Sequence, residues 1–263
     1  MPVQLTPIVY KSLVHGYTWK VSDENRLAEL IAHVALGQAR HVSKILLNVG
    51  AAALPTSMDE AWSAAEQMLT VPVGADPWHR DGWMFQVMSW LSALKAGTDS
   101  LINTPQMIFA QKGFDGVQLD FDPAGAISAV VIFEDKATDN PRKTIHDEVW
   151  PEFEEYERGG DANVLVAEVI GLLEKRQGID VDDVVRRVIW KDARHFRVSI
   201  TVGDSHATDA GRGRLFKDYD KKIPGDVKRR RGETFYVDDL RAWMDRIASK
   251  GLAHIAALRA AHV

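Results

Sequence analysis

Residues 113–136 read GFDGVQLDFDPAGAISAVVIFEDK, and the alternation inside this stretch decides how the chain is built. GVQLDF and AISAVVIFE are short and rich in β-branched and aromatic residues. Asp122-Pro123-Ala124-Gly125 lies between them, a turn composition, so the stretch is expected to form two strands and a hairpin. Side chains alternate along a strand, which places Ser128, Val130, Ile132, Glu134 and Lys136 on one side. A four-residue turn at 122–125 sets Phe121 opposite Ala126. Antiparallel partners then sum to 247, and Asp115 falls opposite Ile132. Asp115 thereby shares a face with Glu134 and Lys136, with Glu134 its diagonal neighbour at roughly 7–8 Å. Asp120 and Asp122 fall on the other face. A turn one residue longer or shorter reverses the assignment, because a single-residue slip flips every side chain.

Two carboxylates converging on one face repel unless something neutralises them. A hard divalent ion such as Mg²⁺ takes oxygen ligands and keeps several waters, so Asp115, Glu134 and the carbonyl of Asp135 form a candidate ligand set. Lys136 beside it can orient or help deprotonate a water and support charge on a phosphate in the transition state. Taken together, Asp115, Glu134 and Lys136 are candidate catalytic residues for phosphodiester hydrolysis. The ordinary alternative is a Glu-Lys ion pair at a strand end with Asp115 in a glycine-rich turn. Against it stand the otherwise apolar strand, the shared face and the amphipathic helix that follows, because ionisable groups gathered at one buried place are a mark of function.

This pattern resembles the PD-(D/E)XK nuclease superfamily, the restriction-endonuclease-like fold. Its core runs αβββαβ, with an Asp opening the second strand and Glu-x-Lys on the third. Asp115, Glu134 and Lys136 match within residues 100–157, with Phe114 where the motif has proline. The resemblance implies an α/β fold with a mixed sheet flanked by helices, Mg²⁺-dependent cleavage of DNA more than RNA, and Mn²⁺ as a substitute ion. An acid on the first helix is a further family feature, and Glu29 is its best candidate here, with Glu24 and Glu66 behind it. The alternative keeps the fold without the chemistry, as an inactive nucleic-acid-binding or scaffolding subunit. A third reading is an unrelated α/β protein whose acidic helix at 147–157 binds a basic partner.

Around this core the chain is expected to be a single domain over 1–263. Residues 1–100 are mainly helical, with helices starting near 23, 58 and 82. The α/β core covers 101–203, with QMIFAQ as its first strand, helices at 145–157, 162–176 and 180–189, and a strand at 195–202. A basic loop and C-terminal helices at 236–249 and 252–261 fill 204–263. The 263 residues are 46% hydrophobic and 26% charged and contain no cysteine. That excludes disulfides, cysteine zinc sites and thiol nucleophiles. No apolar run is long enough for a membrane helix and no signal-peptide pattern opens the chain, so no membrane partner and a cytoplasmic location are expected.

The formal charge of -5 is unevenly spread. Residues 145–161 hold seven acids and one base, whereas residues 211–232 hold nine bases and three acids. Within the latter, Arg212, Arg214, Lys228, Arg229, Arg230 and Arg231 are candidate phosphate-binding residues, because an acidic metal site needs cations elsewhere to hold a polyanion. No ATPase or dinucleotide motif is present. By analogy, this suggests a nuclease subunit of a bacterial defence or repair system working with a separate helicase or ATPase.

Overall fold

The computed structural model describes residues 1–46, 59–97, 99–107, 113–174 and 193–261. Its centre is a seven-stranded mixed sheet in the order β1-β2-β7-β6-β5-β4-β3. The strands are β1 (Val3–Tyr10), β2 (Val14–Val21), β3 (Leu101–Ile102), β4 (Gly116–Phe121), β5 (Ile127–Lys136), β6 (Arg194–Val202) and β7 (Arg230–Tyr236). The β2, β7, β6 and β5 strands run parallel, and an antiparallel hairpin or ladder closes each edge. Parallel strands buried on both faces read as continuous apolar runs rather than alternating ones. The buried apolar run at residues 129–133 of β5 follows that rule.

Helices cover both faces. Before the central strands come α1 (Glu24–Ala35), α2 (Ala39–Leu46), α3 (Asp59–Leu69) and α4 (Trp78–Ala96). Asp23 caps α1 by accepting from the Arg26 N–H at 2.9 Å, satisfying one of the free amides of the first turn. On one face, α1, α3, α4 and a C-terminal helix bury Leu30, Trp83, Phe85, Trp90 and Ile247 against Trp19 and Phe235 of the sheet. Between β5 and β6 the chain runs through α5 (Pro141–Thr144), a π turn at Ile145–Val149, α6 (Trp150–Glu157) and α7 (Ala162–Leu173). These pack Trp150, Phe153 and Leu165 onto Val130, Ile132 and Phe196 of the other face. Short helices α8 (Asp204–Ala207), α9 (Asp209–Leu215) and α10 (Tyr219–Lys222) join β6 to β7, and α11 (Leu240–Ala261) ends the described chain. No described helix is long and apolar enough to cross a membrane.

The architecture departs from the sequence expectations in four places. The opening residues form a hairpin, β1–β2, at the start of the stretch expected to be mainly helical. The first strand of the core is Leu101–Ile102, while most of QMIFAQ, like the helix expected at 180–189, lies outside the described residues. Residues 230–236, read as loop, form a central strand. There β2 and β7 meet so closely that a Cβ at Gly16 would overlap the Gly232 carbonyl. Finally, the two C-terminal helices are one, which passes through Gly251 because a side chain there would press on Leu69 of α3.

Candidate metal and catalytic centre

The β4–β5 register places the candidate residues. Gly116 pairs with Phe133, Val117 with Ile132 and Asp120 with Ala129, so partner numbers sum to 249 rather than 247. Two small changes make the difference. The turn extends to Ala126, closed by the Asp122 N–H to Ala126 carbonyl bond at 2.8 Å, and the ladder bulges between Asp120 and Phe121. Either change alone would have turned Asp115 to the opposite face; together they slide the strand by an even number and preserve it. The ladder continued past Gly116 sets Asp115 directly across from Glu134, nearer than the diagonal neighbour expected.

Asp115 is half-buried, and each of its carboxylate oxygens is engaged. Oδ2 accepts the Asp135 N–H at 2.7 Å, and Oδ1 accepts from the Gln86 side-chain amide of α4. Glu134 is buried, and Lys136 Nζ stands 2.8 Å from its Oε1 and 3.4 Å from Glu148 Oε2. A third acid, Glu152 of α6, reaches the cluster with its Oε2 enclosed and without a hydrogen-bond partner.

The electrostatics express crowding of like charge. Burial pushes the Asp115 carboxyl up to about 6, against the opposing pull of the Asp135 N–H and Lys136. Burial, then the charge of Asp115, pushes Glu134 well above the usual carboxylate range. Burial alone would lower Lys136, but Glu134, with Glu152 and Asp115, holds it above its ordinary value. Lys136 faces Glu134, Glu148, Glu152 and Asp115, so the fully ionised cluster carries an excess of negative charge that burial leaves only partly screened. A divalent cation would remove that excess.

Asp135 divides between the two faces of the sheet. Its side chain points to the α4 face, where it accepts from Ser89 Oγ at 2.7 Å and is pushed up to about 7 by burial. Its N–H bonds Asp115, and the carbonyl of the same residue projects to the same edge of the strand. The carbonyl, not the carboxylate, therefore belongs to the candidate ligand set.

Gln86, Glu148 and Glu152 escaped the sequence reading. Glu148 and Glu152 are one turn apart on a helix whose Val149 and Phe153 pack on the sheet, a spacing visible in the sequence. Pro151 sits between them inside a continuous helix, where its ring crowds the carbonyl four residues back. The helix widens just before it, with the Trp150 N–H bonding the Ile145 carbonyl. Such π turns occur often at functional sites.

Other expected site residues lie elsewhere. Glu29 does not join the centre: it is on α1, paired with Arg26. Glu24 binds Arg246 and Lys250 of α11 at 3.0 and 2.8 Å, and Glu66 lies 3.7 Å from Arg259. The basic segment needs a larger correction. Arg229 is buried against Glu157 at 2.7 Å and also donates to the Arg194 and Pro224 carbonyls. Arg230 is buried and donates to the carbonyls of Ser12, Leu13, Ile223 and Gly225. Arg231 pairs with Asp120 across the α4 face. Arg229 and Arg230 hold strands and turns together and are not displayed to a polyanion, whereas Arg231 is half-buried on Asp120. Arg214 and Lys228 are exposed, and Arg212 is half-buried on Asp209 at 2.6 Å.

The donor set suits a hard ion: carboxylate oxygens from Asp115, Glu134 and Glu152, one of them without a partner, with a backbone carbonyl alongside. A cavity of about 310 Å³ opens beside Asp115, lined by Asn103, Gln106, Phe114 and Glu168 among others. No protein-family model, curated protein or solved structure matches the chain.

Proposed function

We propose that the chain is a divalent-metal-dependent phosphodiesterase of the restriction-endonuclease-like type, acting on DNA more than RNA. The observation that carries this reading is the convergence of Asp115 and Glu134 on one face, with Lys136 2.8 Å from Glu134. The element order supports it. Helix α4, strands β3, β4 and β5, the α5–α7 segment and strand β6 follow one another as αβββαβ, with Asp115 at the mouth of the second strand and Glu134-x-Lys136 on the third.

Asp115, Glu134, Glu152 and the Asp135 carbonyl would hold Mg²⁺ or Mn²⁺. Bound there, the ion supplies Lewis-acid polarisation and offsets charge on the phosphate. The chain's own groups do the positioning. Gln86 and the Asp135 N–H fix the Asp115 carboxylate before any ligand arrives, which lowers the reorganisation left for the reaction. Lys136, kept protonated by its carboxylate neighbours, acts as a donor that orients a water or a phosphate oxygen. The short distance to Glu148 gives the ammonium a second anchor.

The test is cleavage of supercoiled plasmid and of single-stranded DNA and RNA in Mg²⁺ or Mn²⁺. EDTA should abolish cutting, and Glu134→Gln and Lys136→Ala should each reduce it by about 10²–10³-fold, the usual effect of removing one preorganised electrostatic group. Cutting that persists undiminished in both variants overturns the proposal. Tight binding without cutting by the native chain transfers support to the inactive scaffolding reading.

A further inference from the structure

We propose that Glu29, His33 and His254 form a second metal site, for a transition ion of the Zn²⁺ type, which fastens helix α11 to helix α1. One ligand atom of each residue lies within 4.8 Å of the other two. Glu29 and His33 are one turn apart on α1 and so project from the same stripe, and His254 reaches them from α11. The helices are already packed together, sharing Leu27, Ile31, Ile247 and Ile255 in one core.

Two further observations point to a ligand. His254 Nε2 is enclosed and has no hydrogen-bond partner, an arrangement that costs free energy unless something completes it. His33 is buried, and its Nδ1 lies 2.8 Å from Gln38 Oε1. An amide oxygen only accepts, so Nδ1 carries the proton and the Nε2 lone pair is left for a metal. This is the orienting contact that metal-binding histidines usually have. The His254 ring centroid stands 5.4 Å from that of His33, and that of His41, a nearby third imidazole, 6.2 Å.

Ligand chemistry separates this site from the first. Imidazole nitrogens favour Zn²⁺, Co²⁺, Ni²⁺ and Fe²⁺, whereas the all-oxygen centre on β5 favours Mg²⁺ and Mn²⁺. Metal–nitrogen bonds of about 2.0–2.1 Å require the ligand atoms to draw together by roughly an ångström, within reach of small rotations of the half-buried Glu29 and His254 side chains. The surface ion pair between Glu29 and Arg26 is the competing state. A pair of that kind contributes little and yields readily.

The experiment uses the full chain with any affinity tag removed and Glu134→Gln in place, which silences the oxygen site. Co²⁺ is titrated and followed by visible absorption, then displaced with Zn²⁺, and Zn²⁺ is tested for a rise in Tm. One Co²⁺ per chain, visible bands from nitrogen ligation that millimolar Mg²⁺ does not remove, and loss of both the bands and the Tm rise in His254→Gln support the site. Gln38→Ala should weaken binding about 10–100-fold. Glu29→Gln is the independent check should His254→Gln fail to fold. Absence of bound Co²⁺ after dialysis, or binding unchanged in whichever of these two ligand variants folds, overturns the proposal.

Discussion

Asp115 accepts the backbone N–H of Asp135 at 2.7 Å, just beyond the last paired residues of the β4–β5 ladder, Gly116 and Phe133. A side chain thus continues the ladder where the backbone of β4 has ended. The bond draws Asp115 to the level of Glu134, and burial of the pair then raises both carboxyls. The centre is strained by charge and fixed in geometry at the same time.

That strain has a pH signature. A carboxyl whose folded pKa is raised binds more protons folded than unfolded, so stability falls as pH rises through the window between the two values. For Asp115 the window runs from its ordinary value near 3.8 to about 6. Metal-free protein should lose about 1–2 kcal/mol across it, after allowance for partial solvent screening. Mg²⁺ should therefore raise Tm more at pH 8 than at pH 5. Glu134→Gln should raise the metal-free Tm at pH 8 and erase the Mg²⁺ response. Thermal melts in EDTA and in Mg²⁺ check this, and equal responses at the two pH values count against a carboxylate metal centre.

Glu152, with its unpartnered oxygen, should matter to metal binding although it is outside the Glu-x-Lys motif. Glu152→Gln is expected to weaken Mg²⁺ affinity by about tenfold or more, since partners in and around a metal site are commonly worth that much. Glu155→Gln, on the exposed side of the same helix, should leave affinity unchanged. Calorimetric titration of both variants distinguishes them.

Arg230 should behave as a core residue. Arg230→Leu strands four carbonyl acceptors beneath the β1–β2 turn and the β7 entry, and is expected to cost about 3–5 kcal/mol. Lys228→Ala, two residues earlier and exposed, should stay within about 0.5 kcal/mol. Urea unfolding with an unchanged m-value measures both; a small loss for Arg230→Leu would contradict the structural role.

If this segment contacts nucleic acid, its exposed cations must do so. Each phosphate contact adds about -0.9 to the slope of log K against log salt on duplex DNA. Replacing Arg214 and Lys228 together by alanine should flatten that slope by about 2 units. An unchanged slope would move the nucleic-acid path to another surface.

The amino-acid sequence by itself determined the β4–β5 hairpin and the helices that became α1 and α4. These follow from period, turn composition and capping, which are local. The shared face survived an error in register because a longer turn and a bulge cancelled, and only the folded ladder contains that information. Tertiary structure alone decided the rest. Arg229, Arg230 and Arg231 look solvated in sequence, since cations are seldom buried without partners. Their partners, Glu157, the carbonyls of Ser12 and Leu13, and Asp120, lie 72 to 218 positions away. Glu152 likewise looks like one acid among the seven of residues 145–161 until packing of Phe153 on Phe196 turns it toward Lys136. Glu29, the expected extra ligand of the centre, lies instead beside His254, 225 positions distant. Charge and chemistry are written residue by residue, but which charge meets which is a property of long-range packing.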